Sequence, residues 1–185
     1  LRNHAGQVLA CDLFTVATVR FRVLYVLVFI ELGSRRITHV AVTPSPKEMW
    51  MAQQMREAIP CEHGYRFLLH DRDSVFSAAV DGTVKRMGLR VLKTPPRTPV
   101  ANSICERVIG TARRECLDHI IPLSEKHLQR ILREWVAHYN RERPHQSLGP
   151  GIPEPAEGLP GARAAGAAPV TGGGEGGGAA GARWA

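Results

Sequence analysis

The stretch Gln7-Val8-Leu9-Ala10-Cys11-Asp12-Leu13-Phe14-Thr15-Val16 decides the fold. It is an apolar run of strand-forming residues with one acid, Asp12, near its middle. A carboxylate inside a central strand is costly unless it is paired or bound to a metal. Working outward, Phe21–Leu32 reads as a second strand and Arg36–Val42 as a third. The connections Ala17–Arg20 and Gly33-Ser34-Arg35 are short, which favours an antiparallel meander. Pro44-Ser45-Pro46 stops the sheet and puts Pro46 in the first turn of a helix running to about Ile59, with Met49, Ala52, Met55 and Ile59 on its apolar face. Arg66–Asp71 is a short strand. The next helix carries Phe76, Ala79, Val80, Val84 and Met87 and stops at Gly88, before a strand at Leu89–Leu92. A strand, helix and strand in succession imply a parallel pair. Lys93–Ala101 holds Pro95, Pro96 and Pro99 and reads as a loop. A helix follows from about Asn102 to Asp118, then the break Pro122-Leu123-Ser124. The last helix has Leu128, Ile131, Leu132, Trp135, Val136 and Tyr139 on one stripe, with Ser124 as a partial cap. The sum is an α/β fold: three antiparallel strands, then parallel strands, in one mixed sheet flanked by helices.

The chain of 185 residues has 24 Lys and Arg against 17 Asp and Glu, a formal charge of +7. Of these, 22 bases and 14 acids lie in the first 150 residues, so the folded part is the basic part. Such a surface favours a polyanion, most often nucleic acid. The alternative on composition alone is a basic enzyme with no polyanionic partner. Cys11, Cys61, Cys105 and Cys116 form neither a C-x-x-C pair nor a zinc module, so a reducing cytoplasm is expected. The apolar run Val23–Ile30 is too short to span a bilayer. Gly158–Ala185 is mostly Gly and Ala and is expected to be a disordered tail, leaving residues 1–157 as one domain. The N-terminus, without an initiator Met, reads as cut from something longer.

Three acids stand out by position. Asp12 lies in the first strand, Asp71 ends the fourth, and Glu106 lies one turn into the helix after the proline loop. If the first and fourth strands are parallel, the two Asp residues meet at neighbouring strand positions. On the helix, Ile104, Cys105, Val108, Ile109, Ala112 and Cys116 form the buried arc, with Glu106 at its edge beside Gly110 and Arg113. Three converging carboxylates are stable around hard cations, Mg²⁺ or Mn²⁺, and two such ions suit phosphodiester chemistry. Taken one at a time, the acids also read as a buried hydrogen-bonded Asp, a helix cap and a solvated Glu. Trp135 and Tyr139 read as core residues. Arg141, Arg143 and His145 read equally as phosphate holders or as anchors for the C-terminal segment.

These residues resemble the catalytic core of the DDE integrase and transposase superfamily, especially bacterial insertion-sequence transposases, and the element order resembles a ribonuclease H-like fold. Cys11-Asp12-Leu13-Phe14-Thr15 is similar to the first-Asp strand, and His70-Asp71-Arg72-Asp73-Ser74 to the second-Asp motif, with Asp73 at the family's Gly position. Pro99-Val100-Ala101-Asn102-Ser103-Ile104-Cys105-Glu106 is similar to Pro-x-x-Asn-x-x-x-Glu, with 34 residues between Asp71 and Glu106 where the family has about 35. His138-Tyr139-Asn140-Arg141-Glu142-Arg143-Pro144-His145 resembles the signature that closes the core. The resemblance covers about residues 7–155. It implies a metal-dependent recombinase that nicks transposon ends and joins 3′-hydroxyls to target DNA, with Asp12, Asp71 and Glu106 as catalytic residues and ligands of two Mg²⁺ or Mn²⁺ ions. It also implies DNA contacts. Arg113 stands two turns after the Glu, and Lys93, Arg97, Asn102, Arg107 and Arg114 complete the candidate set. Gly110 stands where the family commonly has a base. DNA and further copies of the chain are the expected partners, in a bacterial cytoplasm. The family's N-terminal helix-turn-helix has no counterpart in these residues. The competing readings are an inert DNA-binding or oligomerising remnant and a plain nuclease of the same fold.

Overall fold

The computed structural model describes residues 2–93, 103–145, 148 and 151–154. Arg97, Asn102 and the Gly-rich stretch from 158 onward lie outside the described residues. After a short 3-10 segment, the chain forms strands β1 (Val8–Ala17), β2 (Val23–Glu31) and β3 (Ile37–Thr43), helix α1 (Glu48–Ala58), β4 (Phe67–His70), α2 (Ala78–Arg86), β5 (Arg90–Lys93), α3 (Ser103–Glu115) and α4 (Glu125–Arg141). The sheet order is β3-β2-β1-β4-β5. β1, β2 and β3 pair antiparallel, whereas β1–β4 and β4–β5 pair parallel. The expected meander and crossover are both present.

Val8 to Asp12 are buried one after another because β1 is the central strand and both faces of the sheet are covered. Alternate residues go to opposite cores. Val8, Ala10, Val28, Ile30 and Leu69 pack with Cys105, Val108 and Ala112 of α3 and Ile131, Trp135 and Tyr139 of α4. Leu9, Cys11, Leu27, Phe29 and Leu68 pack with Met51 and Met55 of α1 and Val80 and Val84 of α2. Cys11, Cys105 and Cys116 are buried as small core residues, while Cys61 is exposed.

The element ends follow local chemistry. Ser77 caps α2, its hydroxyl accepting from the Val80 N–H at 3.4 Å, and Gly88 ends it with φ 87°. Ser124 caps α4, accepting from the His127 N–H at 3.2 Å. Pro46 lies outside α1, because Lys47 takes the N-cap position. Met49 is 86% exposed, and Met51 and Gln54 turn inward instead. Ala79 is exposed and Phe76 precedes its helix, so α2 buries Val80, Asp81, Thr83 and Val84. Among the described residues no helix is long and apolar enough to cross a membrane.

Asn140 locks α4 to the edge strand. Its Oδ1 accepts from the Ile37 N–H and its Nδ2 donates to the Ile37 carbonyl, both at 2.9 Å. A buried carboxamide thus pairs with a strand peptide as another strand would. Gln129 of α4 adds a donation to the Val40 carbonyl at 2.9 Å. Together they cover backbone that an open edge would expose.

Candidate functional site

Strand parity aims two of the acids. Asp12 shares its side of β1 with Val8 and Ala10, in the row that faces α3, and Asp71 follows Leu69 of the same core by two residues. The parallel ladder pairs Val8 with Phe67, Leu9 with Leu68 and Ala10 with Leu69, and ends there, two residues before Asp12 and Asp71 in the chain. Asp71 lies just past the end of β4, where its Oδ1 accepts the Asp73 N–H at 3.0 Å. Asp12 is 9% exposed and its Oδ1 accepts the Leu13 N–H at 2.8 Å. Glu106 lies in the first turn of α3, exposed, next to buried Cys105.

Cys105 reports the field of all three acids. Burial first, then the charges of Asp12, Glu106 and Asp71, push its thiol well above the ordinary range. Cys11 is pushed up likewise by burial, with Asp12 and Asp71 among the contributing charges. The charges of all three acids thus reach the buried Cys105 thiol. Among the described residues, no three His, Cys, Asp or Glu side chains are grouped closely enough to hold a metal ion ready-made. In donor chemistry Asp12, Asp71 and Glu106 do fit a hard divalent cation: all three offer carboxylate oxygens, and Asp12 is nine-tenths buried.

Asp73 organises the turn after β4. Its Oδ1 accepts from the Val75 N–H and the Ser74 hydroxyl, both at 3.3 Å. The neighbouring network was not anticipated from the sequence. Buried His70 stacks on Phe76 with centroids 4.4 Å apart, and its Nε2 lies 3.0 Å from Asp81 Oδ1. Lys93 Nζ lies 2.7 Å from Asp81 Oδ2, so this candidate base is already paired. The signal for Asp81 was available, since it is an acid one turn from Ser77 and Val84 on the inner face of α2.

The candidate bases of α3 point two ways. Arg113 donates to the Thr15 carbonyl at 3.2 Å and stacks over Phe14 at 5.5 Å, which places it on β1 three residues beyond Asp12. Arg107 and Arg114 instead line a cavity with Arg35, Tyr139, Arg143 and His145. Arg114 folds back over Gly110, and a Cβ there would stand 3.2 Å from Arg114 Nη1. Absence of a side chain at Gly110 thus leaves room for a guanidinium from the next turn. Trp135 and Tyr139 are buried core, as expected. Arg141 and Arg143 pair with Glu154 and Glu115.

Residues 87–153 match the family model described as an integrase core domain, a span that includes Glu106 but not Asp12 or Asp71. No curated protein matches the chain. Among solved structures, a chain of the simian T-cell lymphotropic virus intasome in complex with PP2A regulatory subunit B56 gamma superimposes with TM-score 0.62 at 11% identity, over 73% of this chain and 48% of that one. This chain therefore spans about half the length of that relative. The catalytic domain of Mos1 mariner transposase gives TM-score 0.59 at 16% identity, over 72% and 71%. The HTLV-2 integrase catalytic core domain in complex with magnesium gives 0.59 at 10% identity, over 80% and 93%. The fold is the ribonuclease H-like fold of integrase and transposase catalytic cores.

Proposed function

We propose that a chain with this integrase-core fold is the catalytic core of a DNA transposase or integrase, a polynucleotidyl transferase that cuts the ends of a mobile DNA and joins them to target DNA. The observation that supports the reading is the parallel pairing of β1 with β4, whose last pair, Ala10 with Leu69, stands two residues before Asp12 and Asp71 in the chain. Asp12, Asp71 and Glu106 would hold Mg²⁺ or Mn²⁺, as two ions. When bound, such a pair activates a water or 3′-hydroxyl and stabilises the leaving oxygen.

The protein's own part is placement. Arg113, anchored on Phe14 and Thr15, offers a guanidinium to a phosphate beside the acids. Lys93, Arg107 and Arg114 would add further DNA contacts, and Arg97 and Asn102, outside the described residues, belong to the same candidate set. Asp73 keeps the turn that carries Asp71 in shape. Assembly on DNA brings further copies of the chain together. The three buried thiols and exposed Cys61 are all free, in keeping with a bacterial cytoplasm.

The test is Mn²⁺-dependent nicking and strand transfer on generic duplex DNA. The wild-type chain should nick and Asp71→Asn should not. Equal specific activity in both would assign the nicking to another site or to a contaminant.

A further inference from the structure

On the face of α3 adjoining that of Glu106, a cavity of about 450 Å³ is lined by Arg35, Arg107, Arg114 and Arg143, together with Tyr139 and His145. At about 100° per residue, Arg107 and Arg114 lie roughly a quarter turn round the helix from Glu106. Arg113 does not belong to this group, since it is bound to β1.

The cavity gathers more positive charge than the described residues neutralise. Among the described residues, one carboxylate pairs with these four arginines: Glu115, 2.9 Å from Arg143. Tyr139 does not help, because burial pushes its hydroxyl up to about 12 and keeps it neutral. Arg35 Nη1 and His145 Nε2 are buried without a hydrogen-bond partner among the described residues, and His145 is only 8% exposed. Unpaired buried nitrogen atoms and facing like charges both cost stability, and one anion relieves both.

The lining is also pre-set. Arg35 sits at φ 66° in the β2–β3 turn, its N–H bonded to the Glu31 carbonyl at 2.9 Å. Arg143 is gripped by Glu115 and by the Tyr139 ring at 5.8 Å. Arg107 Nε is turned back to the Ser103 carbonyl at 3.2 Å. His145 is tied by its backbone to Gly151 at 2.8 Å and packs edge-on to Tyr139.

We infer that this pocket binds a backbone phosphate of a nucleic-acid strand, a second anchoring point separate from the phosphate handled at the carboxylates. The inference rests on the DNA reading above. Planar guanidiniums grouped in an open cleft match phosphate oxygens two at a time, and α3 carries the two phosphate positions on adjoining faces.

The test uses the whole chain in EDTA, so that the carboxylates play no part, and a fluorescent 20-mer duplex titrated over a range of salt. The double variant Arg107→Gln/Arg114→Gln should lose at least about tenfold in affinity, with a log K against log salt slope shallower by about one to two. Arg130→Gln/Arg133→Gln removes the same charge from exposed positions on α4 and should stay within about threefold of wild type. The His145 imidazole resonances should move on adding duplex to wild type and stay still in the Arg107/Arg114 variant. Arg35→Gln, checked for folding by circular dichroism, should repeat the loss. If wild type binds duplex in a salt-dependent way and the pocket variants match it in affinity and slope, the pocket inference is overturned and the DNA reading stands. If wild type does not bind duplex, the DNA reading fails. A rise in melting temperature with inorganic phosphate, lost in the double variant, would then reassign the pocket to a small phosphate ligand and overturn the strand assignment.

Discussion

Asp71 and Arg113 have separable jobs at the scale of single residues. Arg113 contacts β1 rather than any acid, so Arg113→Ala should weaken DNA binding and slow nicking while Mn²⁺ affinity stays level or improves slightly. Asp71→Asn should abolish nicking and impair Mn²⁺ binding, yet leave DNA binding in metal-free buffer unchanged or tighter, because a repelling charge is gone. Calorimetric Mn²⁺ titration and a metal-free gel shift on both variants check this. Loss of metal with retention of DNA in Arg113→Ala would sink the assignment. Gly110 allows a second test. An added Cβ meets only the flexible end of Arg114, at 3.2 Å. Gly110→Ala should therefore stabilise α3 by up to about 1 kcal/mol while displacing Arg114. A higher thermal midpoint with lower DNA affinity is expected.

Contacts between elements set the next level of stability. Asn140 pairs with both the N–H and the carbonyl of Ile37 on the edge of the sheet. Asn140→Ala strands a buried N–H and a buried carbonyl and should cost about 2–4 kcal/mol, read by urea denaturation. Because α4 also supplies Tyr139 and the chain leading to His145, DNA affinity should fall with it. The β2–β3 turn depends on a different network. Burial raises the Glu31 carboxyl, but hydrogen bonds from Ser34, Tyr65 and Arg36 outweigh burial and hold it below the ordinary value. A lowered folded-state value means stability that is present above the unfolded value, 4.5, and lost as pH falls through the lower folded one. The thermal midpoint should drop on acidification below about pH 4.5, and Glu31→Gln should flatten that part of the curve. An unchanged slope in the variant would show that Glu31 is not the group responsible.

Charge acts over the whole molecule. With +7 overall and its arginines spread over α3 and the turn before β3, the chain should bind duplex DNA with little sequence preference and strong salt dependence. Affinity that hardly changes between about 50 and 200 mM salt would contradict a phosphate-dominated interface.

The local pattern by itself determined the elements. Runs of β-branched and apolar residues, short connections and proline stops were enough to place five strands and four helices in order, because strand and helix periods are written in neighbouring residues. The same pattern picked out Asp12, since an acid in a buried strand is anomalous without any knowledge of its partners. It misjudged Met49 and Ala79, whose helix faces are decided by which neighbour covers them. Only the tertiary structure decided register and pairing: that β1 runs parallel to β4 with Ala10 opposite Leu69, that Lys93 is paired with Asp81 and that Arg113 and Arg107 face different ways. Arg35 stood only in a short turn, and His145 beyond α4 read equally as a phosphate holder or as an anchor for the C-terminal segment. They meet across a cavity because Asn140 docks α4 on β3, and a contact between residues more than a hundred positions apart leaves no trace in local periodicity.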